Sequence, residues 1–130
     1  MEYLLLIYAE EKGWASLDEA TQSTEIGKCL IFGKEFAEHI KGSNSLQPTT
    51  TATTVRIRNG KRLTTDGPFA ETKEQLAGYY ILDCAHLDEA LEWAAKIPTG
   101  CGGVTGCVEV RPIHEFPKGP QGEPILAGRG

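Results

Sequence analysis

The chain lacks any long apolar run, any basic stripe and any standard metal-ligand spacing, and each absence narrows what it can be. No stretch approaches the roughly 20 apolar residues that a membrane-crossing helix needs. The chain opens directly on a strand-like run, without the basic region, apolar segment and small-residue cleavage site of a leader, so a cytoplasmic location is expected. Acids outnumber bases by 18 to 13, for a formal net charge of −5. That balance argues against a nucleic-acid partner, because phosphate recognition normally shows as a basic surface. The one basic cluster, Arg56, Arg58, Lys61 and Arg62, surrounds a tight turn, where a solvated strand tip is the ordinary reading.

Cysteine and histidine are equally unhelpful to a metal or triad hypothesis. Cys29, Cys84, Cys101 and Cys107 fit no zinc spacing and are expected as reduced thiols, with Cys84 a small apolar residue at a strand end. Cys101 and Cys107, in and beside a Gly-rich loop, are expected to carry no structural role. His39, His86 and His114 lie in no recognisable catalytic spacing, and no cofactor or metal is called for. There is no internal repeat.

What is present is a single domain's worth of patterned structure, 130 residues long enough to bury a core unaided. Residues 1–8 form an apolar run that suits a strand buried on both faces, hence a central one. Ser16-Leu17-Asp18-Glu19 has the spacing of a capping box and starts a helix near Leu17. Ile26, Leu30, Gly33, Ala37 and Ile40 would be its buried stripe, widened by Phe32 and Phe36, and Gly42 its stop. The threonine-rich run 49–54 favours extended structure. Asn59-Gly60 joins two strands by a type I′ turn, with Arg58 opposite Lys61, and with Val55, Ile57 and Thr64 sharing one face.

Residues 78–83 read as a second central strand, and His86-Leu87-Asp88-Glu89 opens a second helix. Leu87, Ala90, Leu91, Ala94 and Ile97 form its apolar stripe and Pro98 ends it. In 108–111 Val108 and Val110 alternate with Glu109 and Arg111, a half-buried strand; from His114 onward Gly and Pro recur without period. The order is an α+β split βαβ plan with an inserted β-hairpin. Two helices cover only one face of the antiparallel sheet, so a homodimer through the other face is expected.

Chemistry concentrates around Asp66-Gly67-Pro68-Phe69-Ala70-Glu71-Thr72-Lys73-Glu74, where Pro68 fixes its own φ and pushes Gly67 out of the α region. Asp66, at a strand end beside this constrained turn, suits a general base equally with a turn cap. Glu71, Lys73 and Glu74 suit either a small polar ligand or a solvated ion cluster, and Thr72 to Gln75 has a weak capping pattern. If the valines face the helices, Glu109 and Arg111 point into the dimer cavity, as a binding pair or a structural salt bridge. Tyr8 or Tyr79 would add a hydroxyl there or simply pack in the core.

The same stretch from Thr65 to Glu74 resembles the signature of the YCII-related proteins of the DGPF type. The resemblance extends from residues 1–8 through Leu46-Gln47-Pro48 and Asn59-Gly60 to Val108-Glu109-Val110-Arg111-Pro112, giving a domain over 1–116 and an irregular tail over 117–130. It implies a ferredoxin-like fold that dimerises through its sheet as a dimeric α/β barrel. Relatives of this kind are associated with a His–Asp pair whose histidine lies early in the first helix. Here that place holds Thr21-Gln22-Ser23-Thr24-Glu25-Ile26, and His39 would substitute only if folding brought it toward Asp66. The expected function is a small-molecule enzyme or enzyme-like protein with a carboxylate-lined dimer cavity and proton-transfer or lyase chemistry, Asp66 leading and Glu71, Lys73, Glu74, Tyr79, Glu109 and Arg111 binding. The competing expectation is a noncatalytic ligand-binding or regulatory module acting with a transcription-related protein partner.

Overall fold

The computed structural model describes residues 1–98, 106–117 and 119–123. Among the described residues six strands and three α-helices follow in the order β1 (Glu2–Ala9), α1 (Glu11–Ala15), α2 (Glu19–Glu35), β2 (Ile40–Ser45), β3 (Thr53–Arg58), β4 (Lys61–Asp66), β5 (Gln75–Asp83), α3 (Leu87–Ala94) and β6 (Gly106–Pro112). The main sheet is antiparallel with strand order β2-β5-β1-β6, and β3-β4 form a separate two-stranded ribbon. This is the ferredoxin-like α+β arrangement with an inserted hairpin. The two apolar strands, β1 and β5, are the central ones, although only their helix-side residues are fully buried.

Period-two alternation sorts the sheet into two faces. Tyr3, Leu5, Tyr80 and Leu82 point to the helix side with Val108 and Val110, and there they meet Phe32, Phe36, Ala90, Ala94 and Ile97. Phe32 stacks on Phe36 at 4.6 Å between ring centres and meets the edge of Tyr80 at 5.1 Å, while Phe36 tilts against Trp93 at 5.2 Å. Leu4, Leu6, Tyr79, Ile81, Glu109 and Arg111 therefore occupy the opposite face, which no element of the described chain covers.

Several boundaries differ from the sequence expectation. Asp18, not Ser16, caps α2, accepting a 2.7 Å bond from the Thr21 amide; the Ser16 hydroxyl instead donates to the Gly13 carbonyl at the end of α1. The expected stripe on α2 is turned away from the core: Leu30 is 69% exposed and Ile26 50%. The aromatic pair Phe32 and Phe36 anchors the helix, and stepping back seven residues along that line lands on Glu25, which is buried beside its ion-pair partner Lys28 at 3.0 Å.

The helix also ends earlier than its apolar spacing suggested. Ile40 opens the edge strand β2 opposite Leu82, and Gly42 lies at a bulge in that strand rather than acting as a helix stop. The polar run 41–45 concealed this strand because an edge position demands little burial. Residues 49–51 form one 3₁₀ turn where extended structure was expected, and the Glu11 carboxylate fixes it by accepting from the Thr49 amide at 2.7 Å and hydroxyl at 2.8 Å. The second helix starts as expected at Leu87, with an unusual reciprocal cap. The Glu89 amide donates to His86 Nδ1, and the Glu89 carboxylate accepts from the Ala85 amide. Leu87 and Leu91 stay exposed, leaving the two alanines and Ile97 to fill the core.

Candidate functional site

Where β1 passes from Ile7 to Tyr8, β5 carries one extra residue, Ala77, while β1 keeps its alternation: Ile7 lies opposite Gly78, and Tyr8 opposite Leu76. Ile7 keeps to the core side, so Tyr8 projects on the open face, in register with Cys107 of β6. Here an open cleft of about 770 Å³ is lined by Tyr8, Glu10, Thr72, Lys73, Glu74, Cys107, Val108 and Glu109. Three carboxylates face one lysine.

Two hydrogen-bonded pairs organise this cleft. The Tyr8 hydroxyl donates to Glu109 Oε1 at 3.3 Å, and the Cys107 thiol donates to Glu74 Oε2 at 3.4 Å. Burial pushes the Tyr8 hydroxyl above its ordinary value, reinforced by the charge and hydrogen bond of Glu109 and opposed by Arg111. Burial likewise raises the Cys107 thiol, with Glu74 and then Glu109 adding to it. Both groups are thus held protonated at neutral pH, each against a carboxylate.

The loop carrying Glu74 is tethered by side chains. Thr72 donates its hydroxyl to the Glu74 carbonyl, and Gln75 Nε2 donates to the Thr72 carbonyl at 2.6 Å. Gln75 Oε1 in turn accepts from the Glu11 amide at 3.0 Å, linking the loop to α1. The weak capping pattern at Thr72 to Gln75 starts no helix; the tethers hold an irregular loop instead.

Of the residues singled out from sequence, Tyr8, Lys73, Glu74 and Glu109 come together in the cleft. Arg111 shares the open face, opposite Leu4, two positions further along β6. Tyr79 lies on that face too, its hydroxyl accepting from Asn44 Nδ2 at 2.8 Å. Glu71 is exposed and stands outside the cleft. Asp66 ends β4 on the separate ribbon, opposite Thr53, and does not line the cleft of its own chain. The turn after it is held by backbone and Thr54: the Gly67 amide donates to Ala52 at 2.7 Å, and the Thr54 hydroxyl to the Gly67 carbonyl at 2.8 Å. Among the described residues the Asp66 carboxylate takes no hydrogen bond, so the turn does not use it as a cap.

His39 does not approach Asp66. It stacks on Trp93 at 4.6 Å, at the Leu82 end of β2, whereas the ribbon leaves from the Ser45 end. Cys107 and Glu10 are the cleft residues that sequence reasoning passed over. Cys107 was legible in principle, because strand alternation sets it on the same face as Glu109 and Arg111. Cys101 lies outside the described residues. Among the described residues no group of His, Cys, Asp and Glu is arranged to hold a metal ion, and no helix is long and apolar enough to cross a membrane.

Comparison with known proteins places these features in a family. An uncharacterized protein of Rhizobium meliloti (strain 1021) is 50% identical over 74 residues, a match spanning 57% of this chain and 59% of that protein. Among solved structures, 5-chloro-2-hydroxyhydroquinone dehydrochlorinase from Burkholderia phenoliruptrix AC1100, in complex with 2,5-dihydroxybenzoquinone, superimposes with a TM-score of 0.51. That likeness covers 95% of this chain and 100% of the other at 12% identity, and so concerns the fold. Residues 1–117 match the YCII-related domain, and with the Asp-Gly-Pro-Phe turn and the ferredoxin-like sheet already in place, the chain belongs to the YCII-related family.

Proposed function

We propose that the cleft between β1, β6 and the Thr72–Glu74 loop binds a small polar organic molecule and transfers a proton on it, as the first step of an elimination. The observation carrying this reading is the Tyr8–Glu109 pair: a protonated hydroxyl beside a carboxylate, both facing one cleft. Glu109 takes the proton, and Tyr8 donates a hydrogen bond to the substrate oxygen on which charge develops. The electron pair freed by that deprotonation forms the new π bond and expels the leaving group as its anion, which departs to solvent through the open cleft. Glu74, held by its loop tethers and by Cys107, is positioned as a second carboxylate against the substrate. Lys73 and Arg111 supply attraction for an anionic or hydroxylated substrate. The fold neighbour is by name a dehydrochlorinase bound to a dihydroxyquinone, which supports elimination chemistry and a hydroxylated ring as the first substrate class to try.

The same reading includes a homodimer through the open sheet face, which would shelter Leu4, Leu6 and Ile81 and deepen the cleft. Asp66, outside the cleft of its own chain, belongs to this reading only as a residue that the DGPF-type turn would bring from the second copy. The test is a titration with 2,5-dihydroxybenzoquinone and with hydroxyhydroquinones, followed by proton-exchange NMR in deuterated water. Glu109→Gln should retain binding and lose exchange by about 100-fold or more, the scale of a general base. Unchanged exchange in Glu109→Gln would remove Glu109 as the base, and binding without exchange in the parent protein would favour a noncatalytic ligand-binding module.

A further inference from the structure

The β3–β4 ribbon has no cover of its own. Every residue in it except Thr54 is exposed, including Val55 (57%), Ile57 (68%) and Leu63 (46%). An isolated two-stranded hairpin is at best marginally stable in water and needs a surface to pack on. Its register puts Thr53, Val55, Ile57, Arg62, Thr64 and Asp66 on one side, an apolar strip with a cation near its tip and a carboxylate at its base. The ribbon carries Arg56, Arg58, Lys61 and Arg62 against the single acid Asp66. The cleft has the complementary character, with Glu10, Glu74 and Glu109 against Lys73.

From this match we infer that the ribbon is an exchange arm: in the dimer it lies across the cleft end of a second copy's open sheet face, packing Val55 and Ile57 on apolar surface and bringing Arg62 to the Glu74 and Glu109 carboxylates. Each six-residue strand spans about 20 Å, against a four-stranded sheet roughly 15–20 Å wide, so the arm is long enough to cross it. With the arm in place the site is completed in trans: the second copy supplies a guanidinium for an anionic substrate and sets its own Asp66 on the side of the arm turned toward the sheet.

The inference takes its cleft from the functional reading above, but it is tested by cross-linking and dimer affinity, which need no turnover. A chain carrying Arg62→Cys and Cys107→Ser is mixed with the parent chain, the dimers are treated with a short thiol-reactive bifunctional reagent at a pH above the ordinary thiol range, where Cys107 is reactive, and linked peptides are identified by mass spectrometry. The expected product joins position 62 of one chain to Cys107 of the other, a link the variant chain is unable to make within itself. In parallel, Ile57→Asp with Arg62→Glu should raise the dimer dissociation constant about tenfold or more, the ribbon being exposed and its loss of fold detectable by circular dichroism. Absence of the 62–107 link in a dimer would overturn the inference. So would a link confined to single chains of an Arg62→Cys variant that retains Cys107, showing that the arm folds back on its own cleft. DNA binding abolished by Arg62→Glu with dimer affinity unchanged would likewise overturn it, assigning the basic tip to nucleic acid.

Discussion

At the residue scale, Asp66 and Gly67 make opposite demands although they are neighbours. Gly67 has a φ of +95°, which side chains strain to adopt, so Gly67→Ala should cost about 1 kcal/mol or more in a chemical melt. Asp66 is exposed and takes no hydrogen bond among the described residues, so Asp66→Ala should change stability by less than about 0.5 kcal/mol. A loss near 1 kcal/mol would reinstate the turn-cap role. If its carboxylate works in the dimer's cleft, Asp66→Asn and Asp66→Ala should lose turnover together while both stay folded. Cys107 offers a pH test: burial, then Glu74 and Glu109, raise its thiol, so alkylation by iodoacetamide should be slow near neutral pH and accelerate only above the ordinary thiol range. Glu74→Gln should move that acceleration to lower pH, and an unaltered profile would show that Glu74 does not hold the thiol.

At the element scale, the central strands and the hairpin were legible and the edge strand was not. β1 and β5 announce themselves by apolar residues on both faces, and Asn59-Gly60 takes up the two positive φ values, +50° and +74°, that its turn requires. β2 carries no such signal: its sequence Ile-Lys-Gly-Ser-Asn-Ser is polar, and its identity comes from pairing with β5, a tertiary fact. Misreading Ile40 and Gly42 as the end of α2 followed directly from that, as did treating Ile26 and Leu30 as core when two phenylalanines had set the helix's rotation. In the candidate site, Glu109 followed from alternation and Glu74 from the motif, but their meeting depends on the Gln75 tether of the loop, which has no sequence signature. The pairing of β2 with β5 can be tested at Gly78, where an added Cβ would stand 2.8 Å from the Asn44 carbonyl oxygen. Gly78→Ala should therefore destabilise by about 1–3 kcal/mol, the scale of overpacking. A neutral effect would mean that β2 yields easily and is only loosely paired.

At the scale of the whole molecule, the balance between covered and uncovered surface decides the oligomeric state. The helices bury Tyr3, Leu5 and Leu82 almost completely, whereas Leu4, Leu6 and Ile81 on the other face are only half-buried, by their sheet neighbours. Leaving that face in water exposes a contiguous apolar strip at about 25 cal/mol per Å² of area that a second copy would remove from solvent. The polar groups set one condition on such pairing: Tyr8 already donates to Glu109, whereas Tyr79 only accepts from Asn44, so the Tyr79 O–H needs an acceptor on the second copy or a bridging water. The expected state is a homodimer at micromolar concentration, measurable by light scattering. Ile81→Asp would bury a carboxylate at the centre of that interface and should produce a monomer whose far-ultraviolet spectrum is unchanged. The melting temperature gives an independent reading, because subunit association makes it rise with protein concentration. That dependence should be present in the parent protein and vanish in Ile81→Asp. A parent chain that scatters as a monomer, with a melting temperature independent of concentration, would exclude the dimer, and with it the exchange of the β3–β4 arm.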